Sequence, residues 1–267
     1  MSESLSQIQP RSITGINWIG LQTLVKKEIG RFMNVYFQTI FAPLITLGLF
    51  FTVFSISIGG DRIVFGVPYM HFLAPGLLMM TMIQNAFSNS SSSLIIAKVQ
   101  GNIVDLLMPP LSATEILFGY ILGALIRAML IGTLGFIAMT VFLDIPVERP
   151  GLILLFAVLG NIMMGTLGIA GGLWAEKFDH LASVTNFIVT PLTFLSGTFY
   201  ALTALPEMWQ KIALYNPFFY VIDGFRAGFI GTPEASLTTG IFILLISNLV
   251  LISLAWWMLK TGYKTKS

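Results

Sequence analysis

The sequence predicts an all-α, polytopic integral membrane protein with six transmembrane helices, and three observations carry that prediction. First, 55% of the 267 residues are hydrophobic and only 10% are charged, whereas a soluble domain carries about 25% charged residues. Second, the chain contains six long apolar runs, and a helix needs about 20 such residues to cross a hydrocarbon core about 30 Å thick. Third, lysine and arginine are spread unevenly over the connecting segments, in the manner that orients membrane proteins.

The first dozen residues are polar and include Pro10, with no short apolar core and cleavage site behind them. An uncleaved N-terminus that stays in the cytoplasm is expected. Trp18, Leu21, Val25, Ile29, Phe32 and Tyr36 then recur at three-and-four spacing, with Lys26, Lys27 and Arg31 on other faces. This predicts an amphipathic helix at the cytoplasmic interface, either a plain surface anchor or a platform for a partner. Spans are expected at 36–58, 70–95, 114–143, 151–174, 182–203 and 238–259, all helical because lipid offers the backbone no hydrogen bonds.

Between the second and third spans, the polar segment 98–112 predicts a short cytoplasmic helix with Ile103, Leu106 and Leu107 on one apolar face, stopped by Pro109 and Pro110. An apolar face that its own chain does not cover invites a partner protein. Between the fifth and sixth spans, 204–234 holds Trp209, Tyr215, Phe218, Phe219, Tyr220, Phe225 and Phe229, broken by Pro206 and Pro217. Re-entrant helices dipping into the outer leaflet are expected there.

The inner segments hold Arg11, Lys26, Lys27, Arg31, Lys98, Lys177, Lys260, Lys264 and Lys266 and the outer ones Arg62, Arg149, Lys211 and Arg226, nine against four with Arg127 set aside. Both termini are therefore expected in the cytoplasm. The organisation expected is a single domain over 1–267, with the interfacial helix at 14–34 and the six-helix region at 36–260.

A net charge of +2 with no long basic run argues against nucleic acid as a partner. The chain has no cysteine, and its only histidines, His71 and His180, stand alone, whereas a metal needs several convergent ligands. No GxxxxGK(S/T) phosphate loop, HExxH or GxSxG motif is present. Catalysis in this chain is not expected.

The residues do carry a family resemblance. The N-terminal helix with Lys27, Glu28 and Arg31, the opening Phe72-Leu73-Ala74-Pro75-Gly76, the loop from Gly101 to Pro110, and Phe194-Leu195-Ser196-Gly197-Thr198-Phe199-Tyr200 all contribute. The most specific part is the closing signature, Leu205-Pro206 followed by Pro217-Phe218-Phe219-Tyr220 and Arg226. Over nearly its full length the chain resembles the permease subunit of ABC-2 type (ATP-binding-cassette type 2) exporters, which include drug, polysaccharide and lipo-oligosaccharide exporters of the bacterial inner membrane. The resemblance implies a half-transporter. Two permease copies, as a homodimer, pair with a separate ABC ATPase that holds ATP and magnesium, and this chain itself carries no cofactor. It further implies that the 98–112 helix couples to the ATPase through Gly101, Asn102, Ile103, Asp105, Leu106 and Leu107, with Lys27, Glu28 and Arg31 as a second contact.

Several residues keep two readings. Arg127 lies inside the third span, where an arginine is costly unless paired or hydrated; it is either a transport-path or gating residue, or a structural one that snorkels or pairs. Gln84, Asn85, Ser88, Asn89 and Ser90 to Ser93 either fasten helices together or line a translocation cavity. Gly160, Gly165, Gly168, Gly171 and Gly172 read as packing contacts, and Pro75 and Pro191 as kinks or hinges. With aromatic, methionine and small polar residues but no cluster of charges in the spans, the expected cargo is an amphipathic or apolar drug-like molecule, with a lipid-linked saccharide behind it. A self-sufficient secondary transporter or channel is the alternative, although such proteins carry midplane ionisable groups and only Arg127 qualifies. A non-transporting assembly or sensor protein is a third.

Overall fold

Within a bilayer a backbone amide finds a partner only in its own helix, and this chain complies almost throughout. The computed structural model describes residues 15–58 and 62–264. The first dozen residues, including Arg11, and Lys266 lie outside the described residues. In order come α1 (Trp18–Met33), a π-helical turn (Phe37–Phe41) running into α2 (Ala42–Ile58), and a minimal hairpin of β1 (Ile63–Val64) and β2 (Val67–Pro68). Next are α3 (Tyr69–Val99), α4 (Ile103–Leu107), α5 (Ala113–Leu143), α6 (Pro150–Trp174), α7 (Phe178–Val184), a second π-helical turn (Thr185–Val189) and α8 (Thr190–Phe194). A 3-10 turn (Leu202–Ala204), α9 (Glu207–Tyr215), α10 (Pro217–Ile230) and α11 (Leu237–Thr261) close the chain.

Among the described residues four helical segments are long and apolar enough to cross a membrane: Phe37–Ser57, Ala113–Leu143, Pro150–Trp174 and Leu237–Thr261. They coincide with the first, third, fourth and sixth expected spans. The second, α3, is as long as α5 at 31 residues, but its polar run makes it less apolar than those four. The fifth departs further, because helix ends at Phe194 instead of continuing to 203. The stop has a local cause: the Ser196 and Thr198 hydroxyls donate to the Thr193 carbonyl, and Gly197 turns the chain at φ +73°. Pro191 follows the second π-helical turn, whose wider ring accommodates an interrupted ladder, whereas α3 continues unbroken through Pro75.

The most polar long helix is also the most enclosed. α3 packs against α5, α6 and α10, and Phe72, Leu73, Leu78, Met79, Ile83 and Ile95 are fully buried. Glycines bring α6 close. A Cβ on Gly168 would overlap the Phe87 carbonyl, and one on Gly172 would sit 3.0 Å from the Ser91 carbonyl oxygen. Gly165 faces Ala124 of α5 and Gly160 faces Val221 of α10, so small residues set the helix spacing. By contrast α2 and α11 turn Ile45, Leu49, Phe242, Ile246 and Leu249 outward.

The 204–234 segment forms short helices, as expected, and there are two of them, α9 and α10. α10 is almost wholly buried, while Met208, Trp209 and Tyr215 of α9 are exposed. What holds α10 is Arg226, only 1% exposed. Its guanidinium donates to the Gly197 carbonyl at 2.9 Å and to the Glu234 carboxylate at 2.7 Å, and it lies 3.8 Å over the Phe72 ring. Asp223 stands 3.7 Å away and accepts from the Glu234 and Ala235 amides at 2.9 and 3.0 Å. Glu234 also accepts from the Leu202 amide. One buried cation thus ties together α10, the turn after α8, the loop before α11 and α3.

Arg226→Met would leave two buried carboxylates without their cation, a change that costs about 3–5 kcal/mol. Thermal unfolding of the detergent-solubilised protein, followed by tryptophan fluorescence, is expected to show a clearly lowered melting temperature, with a smaller loss for Arg226→Lys. Equal melting of all three proteins would refute this role.

Candidate functional site

Three helices meet where α3 ends and α5 begins. α1 runs beside α5 in the same direction, for Leu24 lies over Gly119 and Glu28, four residues on, lies over Gly123. The Asn17 side-chain amide donates to the Pro110 carbonyl at 3.2 Å, and its backbone amide donates to the Glu115 carboxylate. Glu115 also accepts from the Ser112 amide at 2.6 Å, completing a capping box at the start of α5. The helix expected to lie alone at an interface is therefore docked along α5. Its buried stripe is Leu24, Glu28 and Phe32, displaced by one position from Val25 and Ile29, while Trp18 is exposed. The shift follows from the glycine trough on α5, which admits Leu24 and Glu28.

Gly101, at φ +75°, turns the chain into α4. Leu106 is buried in a cluster with Leu24, Leu94 and Ile116, and Ile103 packs against the same cluster. Leu107 is 41% exposed, together with Val104 at 52% and Met108 at 76%; Asn102 and Asp105 are exposed as well. The apolar face expected to be open thus loses Ile103 and Leu106 to the chain's own core and gains Val104 and Met108. A helix of five residues is too short for periodicity to define its face.

The N-terminal triad divides likewise. Lys27 is exposed, but Glu28 is fully buried, where its carboxylate accepts from Ser93 Oγ at 2.7 Å. The Glu28 side chain thus faces α3 within this chain. Arg31 donates to the Asn89 carbonyl at 2.6 Å, Asn89 Oδ1 at 2.9 Å, Ser92 Oγ at 3.2 Å and Glu28 at 3.3 Å. Its side chain keeps 26% exposure. On α5, Arg127 is only 7% exposed, so it does not snorkel outward. It donates to Asn85 Oδ1 at 2.7 Å, and among the described residues no carboxylate forms an ion pair with it.

The polar run of α3 has two faces. Asn89, Ser90, Ser91 and Ser93 are buried. Gln84, Asn85 and Ser88, with Ser92, line a cleft of about 360 Å³ whose other wall is Leu181, Thr185, Val189 and Thr190. Gln84 Nε2 bridges the walls by donating to Thr193 Oγ1 at 3.3 Å. Helix fastening and cavity lining are thus both served by one helix, with Ser91 buried and also lining the cleft. Sequence reasoning missed the Asn17–Glu115 tie, although the Ser112/Glu115 spacing is a legible capping signal. It also missed the threonine wall, which no motif marks.

The closing signature is structural in this chain. Leu205-Pro206 leads into α9, Pro217 opens α10, and Tyr220 Oη donates to the Leu214 carbonyl at 3.0 Å. At the opposite end of the bundle Lys98 donates to the Leu173 and Ala175 carbonyls, each at 2.6 Å. Lys264 pairs with Glu176 at 2.7 Å, a hydrogen bond that holds this carboxyl below its ordinary range. His180 packs beside Trp174 at 5.7 Å, and among the described residues no three potential metal ligands gather.

This architecture has relatives. The profile of the ABC-2 type transporter family matches residues 20–230. The chain is 36% identical over 253 residues to the inner membrane transport permease YadH of Escherichia coli K12, covering 94% of this chain and 98% of that one. It is 28% identical over 188 residues to nodulation protein J of Rhizobium leguminosarum bv. viciae, covering 68% and 70%. Against nodulation protein J of Neorhizobium galegae it is 26% identical over 177 residues, covering 65% and 66%. A profile match over most of the chain, joined to a full-length relative, makes this chain a member of the ABC-2 type transporter family, a transport permease of the inner membrane and not an enzyme.

Proposed function

We propose that this permease is the membrane half of an ATP-driven exporter, working as a homodimer with a separate ABC ATPase that binds ATP and magnesium. The observation that carries the reading is the α4 corner. Val104, Leu107 and Met108 stand exposed on a helix whose other face is locked into the chain's own core, the form a docking knob takes. Asn102, Asp105 and Lys27 supply polar contacts around it. A chain without a phosphate loop takes its driving energy from elsewhere, which supports the division of labour. The proposed topology has six spans, with α3 second and the 178–194 segment fifth, α9 and α10 re-entrant on the outer side, and both termini cytoplasmic. The cargo is an amphipathic or apolar molecule, drug-like or a lipid-linked saccharide, received at the Gln84, Asn85 and Ser88 face, with Asn89 and Arg127 behind it.

Two outcomes test this. Leu107→Glu combined with Met108→Glu is expected to abolish co-purification of an ATPase bearing a phosphate loop, as read by mass spectrometry, with membrane insertion unchanged; undiminished co-purification would overturn the coupling role. For topology, the native chain has no cysteine, so single introduced cysteines report cleanly to a membrane-impermeant thiol reagent. Glu207→Cys is expected to label from outside intact cells and Lys177→Cys only after permeabilisation. Labelling of both from one side would remove the fifth span.

A further inference from the structure

We propose that the cleft between α3 and the 178–194 segment receives an anionic group, a phosphate or carboxylate, at the head of an amphipathic molecule. The inference rests on reading this cleft as part of the transport path. Behind the α3 wall stand two cations, Arg31 and Arg127, against one carboxylate, Glu28. Glu28 is matched by Arg31 at 3.3 Å, which leaves Arg127 with the Asn85 amide alone. Both arginines are fastened to residues that line the cleft, Arg31 to Ser92 at 3.2 Å and Arg127 to Asn85 at 2.7 Å. The lining residues themselves carry no charge. In a medium of low dielectric constant the field of an uncompensated cation extends across such a wall with little screening.

Hydrogen bonding points the same way. Among the described residues three buried nitrogens at this crossing, Arg31 Nε, Asn89 Nδ2 and Arg127 Nε, have no protein acceptor, beside two hydroxyls, Ser90 Oγ and Tyr120 Oη, that also lack partners. In the walls the exposed Ser88 hydroxyl can donate to an oxyanion, whereas those of Ser92 and Thr185 already donate to the Asn89 and Leu181 carbonyls. The apolar remainder of the ligand also has a place. The next residue after Thr190 is Pro191, which opens an aromatic groove of about 710 Å³ lined by Phe50, Phe194, Phe199 and Trp209.

The test uses the full-length chain in nanodiscs of zwitterionic lipid, with dodecyl phosphate and uncharged dodecyl maltoside as matched probes and calorimetric titration as the readout. Dodecyl phosphate is expected to bind about tenfold more tightly than dodecyl maltoside. Arg127→Gln should erase that preference and Arg127→Lys should keep most of it. Ser88→Glu, at an exposed position that the fold does not depend on, should erase it independently. Equal affinities for the two probes in the native chain, or a preference that survives both Arg127→Gln and Ser88→Glu, would overturn the proposal. Binding requires neither ATP nor a partner, so the two readings fail separately. ATP-driven export with no anion preference would refute this site and leave the exporter standing, and a preference in a chain that recruits no ATPase would do the reverse.

Discussion

The close approach of α6 to α3 is the contact on which the remaining architecture depends. Gly168 and Gly172 let backbone meet backbone where any side chain would hold the helices apart. With α6, α5 and α10 pressed around it, α3 keeps asparagines and a run of serines within the bundle, because each such group facing lipid would lose its hydrogen bonds. The network of Glu28, Arg31 and Asn89, and the cleft beside it on the same helix, depend on that enclosure. Apolarity is accordingly sorted by position in the bundle, with α2 and α11 lipid-like on their outer faces and α3 polar at the centre.

This sorting also explains what was legible in the sequence. Four spans could be read within a few residues, since segments that face lipid must be apolar along their length and composition reports that directly. The polarity of α3 was legible too. Which of its serines and asparagines face a cleft and which face α1 was not, because that depends on where α1 docks. Nothing in the periodicity of α1 marks Glu28 as an inward residue; a carboxylate there becomes reasonable only once Ser93 and Arg31 are seen beside it. Helix was expected to continue to 203, but it ends at Phe194, where the Ser196 and Thr198 hydroxyls donate to the Thr193 carbonyl. The role of Arg226 was legible only as a pattern, and its partners Asp223 and Glu234 lie too close in sequence to stand out from a loop.

The α1, α4 and α5 corner is packed and hydrogen-bonded into one piece. Asn17 and Glu115 join α1 to α5, Leu106 and Leu24 share one cluster, and Glu28 and Arg31 extend the joint to α3. The exposed side of α4 is thus joined through packed side chains and hydrogen bonds to the helix that lines the cleft. Rigid transmission over this distance requires only packed side chains and hydrogen bonds with a single arrangement.

The π-helical turn at Thr185–Val189 gives the two walls of the cleft different histories of permissible change. Such a turn holds one residue more than the α-helical turn it replaces. Losing a residue there asks the segment only to tighten into ordinary helix, with its flanking residues left in phase. Losing a residue from α6 would swing every glycine beyond it about 100° around the helix and off α3. The wall that carries this turn can therefore shorten by one residue without rotating its neighbours, whereas the scaffold behind α3 tolerates substitution but not deletion.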